Sequence, residues 1–314
     1  MNLKTVLKVI VATVTLGIVF SLMDWHVLAA ALARTSPVHL LLMFALDILA
    51  HIVFTLRWVV ILGDKTSAKT RTVVRSYLYS TLLNLVTPAN LGSDVYRFCT
   101  LTKDAPLERP LILGALFKER FLGLLGTILA FILCWGIWSV NPGPMPQAGI
   151  ATLNSMGAIF LVSMPTAGLA LWLISKKRIR LPMCLGATVH RWAGGIAAAL
   201  EFPTVANAAT LVLFSVVASL LWIVPVVLYA QALGASLPWT VSSMITVLVA
   251  LAVFVPLSIQ GVGVREGLFA ALFAMCGSQS EIGFAVGVVS YLVLGLAMLT
   301  VGLLGLIPER TPRP

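Results

Sequence analysis

Charge is scarce in this chain. Of its 314 residues, 10% are charged and 60% are hydrophobic. A soluble domain needs far more charge to cover its surface, so a soluble globular fold is excluded. Cysteine is scarce too. Cys99, Cys134, Cys184 and Cys276 are scattered and form no C-x-x-C pair, so a zinc ribbon or dithiol centre is not expected. Isolated cysteines in membrane helices behave as small hydrophobes. The four histidines, His26, His39, His51 and His190, do not gather at metal-ligand spacing. No metal and no cofactor are expected. No G-x-x-x-x-G-K-[ST] loop occurs, so ATP hydrolysis by this chain is not expected.

Long apolar runs are plentiful. Mean hydropathy is +1.03, and stretches of 18 or more apolar residues recur, the signature of a polytopic helical membrane protein. The expected full spans are about 3–23, 37–62, 110–139, 150–174, 203–233 and 282–307. The first resembles a signal peptide. No small-residue cleavage site follows it and the next span starts soon after, so it is read as a retained helix. Two further apolar segments, 73–101 and 240–276, are broken internally. The length allows a single membrane domain, 1–314.

The net charge of +10 raises the question of nucleic acid, and its placement answers it. With the N-terminus in the cytoplasm, fifteen of the 21 Lys and Arg residues fall on cytoplasmic segments and Arg34 alone falls outside. The other five, Arg57, Arg97, Lys118, Arg120 and Arg265, lie within or against apolar segments. This is the positive-inside bias of a membrane protein, not a nucleic-acid patch. It holds only if 73–101 and 240–276 each enter and leave on one side. Both are therefore expected to be re-entrant hairpins, with both chain termini cytoplasmic and 308–314 a short cytoplasmic tail. The stretch 184–201 is expected to lie along the cytoplasmic interface as an anchor.

A repeat follows. Half one, about 37–139, is a span, a hairpin broken at "TPANLGSD" (87–94) and a span. Half two, about 203–307, has the same order in the opposite direction, with its break at "PLSIQGVG" (256–263). Pro88, Gly92, Pro256, Gly261 and Gly263 are the expected points of backbone opening. Inverted repeats with broken helices build substrate sites in many secondary transporters. Unwound backbone at membrane depth must be buried in protein or line a wet cavity.

Charges buried in the bilayer cost a few kcal/mol each, about 2.5–3.5 on insertion scales, and mark functional positions. The expected substrate path is Arg57, Asn84, Asp94, Arg97, Glu119, Arg120, Arg265 and Glu266. Arg57 has two readings, snorkelling to the surface or gripping a phosphate through its planar fork. Asp94 and Arg97 share a helix face and suit a structural pair. Across the repeat, Asp94 is expected to meet Arg265, and Glu266 to meet Arg97. Glu266 is expected to face a polar cavity shared with Arg97 or Arg57. Asp47 and His51 also share a face. An interhelical hydrogen-bonded contact is preferred for them over a proton relay.

Four pieces carry a resemblance: "LRW" (56–58), "NLVTPANLGSDVYRF" (84–98), "ERFLGLLG" (119–126) and "VPLSIQGVGVREGLFAALF" (255–273). They resemble the flippase-like transmembrane family typified by the membrane domain of lysylphosphatidylglycerol synthase, which includes members associated with hopanoid and polyprenyl lipids. Pro256, Gly261, Gly263 and Glu266 match that family's last motif. Gln260 stands where a glycine is usual, and Gly123 where an acidic residue is frequent. The resemblance implies movement of a lipid with a polar or anionic headgroup between leaflets of a bacterial-type inner membrane. After Ile307 only "PERTPRP" remains, so aminoacyl transfer is not expected. No His-Asp or Asp-x-x-Asp cluster lies on an aqueous loop, and no catalytic residue is assigned. Two alternatives stay open: a membrane transferase using Glu266 or Asp94 as base, and an accessory subunit of a lipid-biosynthesis complex. The expected partners are a lipid substrate and either a second copy or a biosynthetic enzyme.

Overall fold

The computed structural model describes residues 33, 35–63, 69–85, 87, 91–104, 109–175, 196–198, 200–202, 204–253 and 261–306. The expected span 3–23, Pro88, Pro256, most of the interfacial stretch 184–201 and the tail 308–314 lie outside them. Regular structure among the described residues is entirely helical: α1 (Pro37–Leu62), α2 (Thr70–Asn84), α3 (Leu91–Asp104), α4 (Arg109–Val140), α5 (Gln147–Ser175), α6 (Val205–Ala232), α7 (Trp239–Val253), α8 (Val264–Met275) and α9 (Ser280–Leu304).

Helices α1, α4, α6 and α9 are long and apolar enough to cross a membrane. The chain is a multi-pass membrane protein. Helices α2, α3, α7 and α8 have 12 to 15 residues. At about 1.5 Å per residue they span about 18–23 Å, short of a hydrocarbon core of about 30 Å. The order long, short, short, long occurs twice, in α1–α4 and in α6–α9.

Packing follows the same correspondence. Helix α1 lies against α6, α2 against α9, and α4 against α7. The first long helices of the two sets, α1 and α6, run in opposite directions where they meet. Thr35, just before α1, bonds Tyr229 near the end of α6 at 2.7 Å. Arg57, near the end of α1, bonds Ser215 in the first half of α6 at 3.1 Å. Helices α1 and α6 are therefore antiparallel. Thr81 of α2 donates to the Met298 carbonyl of α9 at 3.2 Å. Contact this close needs small residues. A Cβ on Gly126 of α4 would stand 2.5 Å from the Ser215 carbonyl oxygen, so only glycine fits.

Helix α1 is apolar outside and polar within. Val38, Leu41, Leu42, Leu49, Ile52 and Leu56 are exposed along one stripe. Asp47, His51, Thr55 and Arg57 are buried on the opposite side with Met43, Ala50 and Trp58. Lipid is as apolar as leucine, so polar groups gather where the protein, not the bilayer, surrounds them.

Candidate functional site

The short helices aim their broken ends at one place. Asn84 at the end of α2, Ser93, Asp94 and Arg97 at the start of α3, Val253 at the end of α7 and Arg265 at the start of α8 all line one cavity of about 290 Å³. The long helices wall it with Asp47, His51 and Arg57 of α1, Glu119, Arg120 and Gly123 of α4, Ser219 and Trp222 of α6, and Ser290 of α9.

Five of these side chains form an alternating charge network. Asp94 accepts from Arg97 Nη2 at 2.7 Å and from Arg120 Nε at 2.6 Å. Glu119 accepts from Arg97 Nη1 and stands 3.9 Å from Arg57 Nη2. The order is Arg120, Asp94, Arg97, Glu119, Arg57. Among the described residues of the network three cations face two anions, an excess of one positive charge.

Local structure sets each position. Asp94 and Arg97 are three apart on α3, so they share a face. Asp94 lies in the first turn, where the helix dipole favours an anion. Gly92 brings its N–H to Thr87 Oγ1 at 3.0 Å. Arg97 is 4% exposed and lies between two rings, 4.6 Å from the Trp58 centroid and 4.9 Å from Tyr77. Arg57 is buried, donates to Ser215 Oγ and sits over Phe54 at 5.1 Å. It does not snorkel. Among the described residues both Arg57 and Arg97 keep a buried Nε–H with no hydrogen-bond partner, spare donors in a network with an excess of arginine.

Two sequence expectations are corrected. Asp94 was expected to meet Arg265, but Arg97 and Arg120 already occupy its oxygens. Glu266 was expected to meet Arg97 or Arg57 in a cavity. Its carboxylate instead turns back to accept the Gly263 N–H at 2.7 Å. It sits at the third position of α8 and caps the helix start, the one half of a capping box that a glycine N-cap allows. Gly261 and Gly263 have φ of +77° and +81°, the left-handed backbone glycine supplies most readily. They turn the chain into α8 so that Arg265, next to Glu266, reaches the cavity. Arg265 sits 5.2 Å from the Tyr291 ring centroid.

Lys118, beside Glu119 in sequence, leaves the cavity. Its Nζ donates to the Glu201 carbonyl at 2.8 Å and lies 4.0 Å from the Phe202 centroid. Trp58, Tyr77 and Ser215 were not foreseen at the site. Trp58 carried a signal, since "LRW" places it beside Arg57. Ser215 carried none.

Residues 5–303 match the family model described as the lysylphosphatidylglycerol synthase TM region. The chain belongs to this family. No curated protein and no solved structure matches it. Membership covers all the described helices apart from the last residue of α9. It agrees with the four short motifs, two of which supply the network: Asp94 and Arg97 from "NLGSDVYRF", Glu119 and Arg120 from "ERFLGLLG". The third, "LRW", adds Arg57.

Proposed function

We propose that this protein is a flippase-like transporter that carries a lipid with a polar or anionic headgroup between leaflets of a bacterial-type inner membrane. One observation carries the reading. A buried charge network with three arginines against two carboxylates lines a cavity reached by the broken ends of both short-helix pairs. A headgroup phosphate cannot cross hydrocarbon without losing its hydration. The spare Nε–H groups and the unbalanced charge offer it replacement partners, and an arginine fork suits phosphate oxygens. The acyl chains stay in the bilayer outside.

In this reading the pairs α2–α3 and α7–α8 are re-entrant hairpins from opposite faces. Residues 37–139 and 203–307 are halves of an inverted repeat, and both termini are cytoplasmic. The repeated order of helix lengths and the antiparallel packing of α1 on α6 support it. Rocking of one half against the other would open the cavity to each face in turn.

Purified protein in vesicles tests the proposal against a panel of labelled anionic, zwitterionic, polyprenyl-phosphate and hopanoid lipids. A flippase moves at least one label between leaflets unaided. A transferase makes a new product, and an accessory subunit does neither; either outcome removes the reading.

A further inference from the structure

The charge network occupies one part of the cavity and leaves another to a different chemistry. Asp47 lies eleven residues into α1, about 15 Å along a helix of about 39 Å, near mid-membrane. It is 5% exposed and lines the cavity. Among the described residues it joins no ion pair. An ionisable side chain at that depth marks a functional position. The Arg265 charge acts on Asp47, but Arg265 is provided for elsewhere. Glu266 acts on its charge ahead of Asp47, the Tyr291 ring lies 5.2 Å away, and it has a further partner. Asp47 therefore has no cation of its own among the described residues.

Away from the network, polar groups of the wall present lone pairs rather than hydrogens. His51 Nδ1 meets the Asp47 backbone carbonyl at 2.8 Å. A carbonyl only accepts, so Nδ1 carries the hydrogen, and Nε2 of the neutral ring is an acceptor. The Thr246 hydroxyl of α7 donates to the Ser242 carbonyl at 2.7 Å, and the Ser290 hydroxyl of α9 to the Gly287 carbonyl at 3.1 Å. Each hydroxyl has one hydrogen and has used it, so its oxygen can only accept from a ligand. His51, Thr246 and Ser290 line the same cavity as Asp47. A ligand group that meets them must be a donor. Against the Asp47 carboxylate it binds most strongly if it also carries positive charge. The network is the reverse, with buried Nε–H groups on Arg57 and Arg97 that no described residue accepts.

The two chemistries are spaced for one small headgroup. The Arg57 guanidinium lies over Phe54 at 5.1 Å, because side chains on a helix lean toward its N-terminus. Seven residues, about 10 Å of helix axis, separate Phe54 from Asp47. Five bonds join a phosphate oxygen to the amine of a phosphoethanolamine group, about 6 Å when extended, at the backbone's reach of about 3.8 Å per three bonds. A hydrogen bond of about 2.9 Å at each end brings the span to about 12 Å. That covers the separation.

We propose that the cavity selects a zwitterionic headgroup, a phosphate joined through two carbons to a primary amine, with the phosphate at Arg57 and Arg97 and the ammonium at Asp47. The transport of this headgroup rests on the flippase reading; its binding does not. The charges match end by end. The network has one positive charge in excess and Asp47 supplies one negative charge, so a neutral zwitterion leaves neither buried and unmatched. A headgroup that is only anionic meets the arginines and leaves Asp47 without a partner. A quaternary ammonium keeps the charge but brings no N–H to the acceptors.

The first measurement needs no transport. The purified protein in detergent micelles is titrated with short-chain phosphatidylethanolamine, phosphatidylcholine and phosphatidylglycerol, and binding is read from tryptophan fluorescence, since Trp222 lines the cavity. Phosphatidylethanolamine should bind at least about tenfold more tightly than either of the others, the effect of one hydrogen bond to a charged group. Stepwise N-methylation should weaken it in steps, because each methyl removes a donor and keeps the charge. Asp47→Asn should erase the preference, and Asp47→Glu should restore part of it. Equal affinity of the wild type for the three lipids overturns the proposal whether or not the variants fold. So does a preference that survives in Asp47→Asn. The second measurement uses phosphatidylcholine vesicles with a trace of phosphatidylethanolamine or phosphatidylglycerol labelled on an acyl chain. The ethanolamine lipid should change leaflet about tenfold faster. Equal rates overturn the selectivity and leave the flippase reading intact. Selective binding in micelles with no label moved in vesicles would defeat the flippase reading and leave the site standing.

Discussion

Removing Arg97 should cost more stability than removing any other single charge of the network. Its guanidinium is 4% exposed and joins both carboxylates, Asp94 at 2.7 Å and Glu119. In Arg97→Ala, Asp94 keeps Arg120, and its side chain is 17% exposed. Glu119 keeps Arg57 at 3.9 Å, with both groups buried, and the hydrogen bond from the Tyr77 hydroxyl. Stripping one partner from a buried pair costs about 3–5 kcal/mol. The contacts with Trp58 and Tyr77 add about 1 kcal/mol. The expected loss is therefore about 4–6 kcal/mol. Arg97→Lys keeps the charge, loses the fork that reaches both carboxylates, and should cost about half as much. The decisive arm is the double change Arg97→Met with Glu119→Leu, which removes both charges and keeps volume. Such replacements are often close to neutral, so it should cost much less than Arg97→Ala alone. SDS unfolding of purified protein in mixed micelles, followed by tryptophan fluorescence, measures all of these. The reasoning fails if Arg97→Ala unfolds within about 1 kcal/mol of wild type, or if the double change costs the sum of its single changes.

Two more substitutions probe the site from either end. A Cβ on Gly123 would sit 3.5 Å from Arg57 Nη2, an ordinary contact, so Gly123→Ala should leave lipid movement within about twofold. Gly123→Asp places a carboxylate beside Arg57, brings the network to three charges of each sign, and should slow anionic-lipid movement about tenfold or more, the effect of about 1.4 kcal/mol; unchanged movement would show that the excess charge is not used. At α8, Glu266→Ala removes the acceptor for the Gly263 N–H and should cost about 1 kcal/mol in the same unfolding assay, while Glu266→Gln keeps an acceptor and should cost a few tenths. Equal losses in the two would show that the charge and not the cap is what α8 needs.

The helices were largely legible because apolar length alone defines a span. The expected 37–62 is α1 residue for residue, and 110–139 became Arg109–Val140. The division of 73–101 into α2 and α3 and of 240–276 into α7 and α8 was legible, and Gly261 and Gly263 take the left-handed backbone expected of a break, while Pro88 and Pro256 lie outside the described residues. Asp94 with Arg97 was legible as an i,i+3 pair. Glu119 with Arg97 was not, since 22 residues separate them and only the packing of α3 on α4 brings them together. Glu266 was misread although its signal was present. Gly263-Val-Arg-Glu266 has the spacing of a capping box, but a carboxylate at membrane depth drew attention to its charge rather than to the helix end beside it. Asp47 and His51 were legible as neighbours on one face, but the interhelical contact expected of them is instead a bond from His51 Nδ1 to the Asp47 backbone carbonyl within α1. What spacing could not show is that, among the described residues, Asp47 joins no ion pair, although the Arg265 charge acts on it.

The imbalance of the network bears on what it is for. Charges buried only to hold helices together gain most when each is matched, because an unmatched charge in a low-dielectric interior costs more than its neighbours return. Here the arrangement alternates but ends on arginine at both sides, Arg120 toward the partly exposed rim and Arg57 deep against α6. Gly123 lies beside Arg57, where a side chain could have supplied the missing anion. Glu266, the nearest carboxylate by sequence to the second break, is spent on a helix cap. Arg57 and Arg97 each retain an N–H that no atom of the described residues accepts. A structural clasp has no use for these features. The transport site proposed above would use all of them: one unit of excess charge to attract an anion, free donors to replace its water, and flanking carboxylates to keep the attraction weak enough for release.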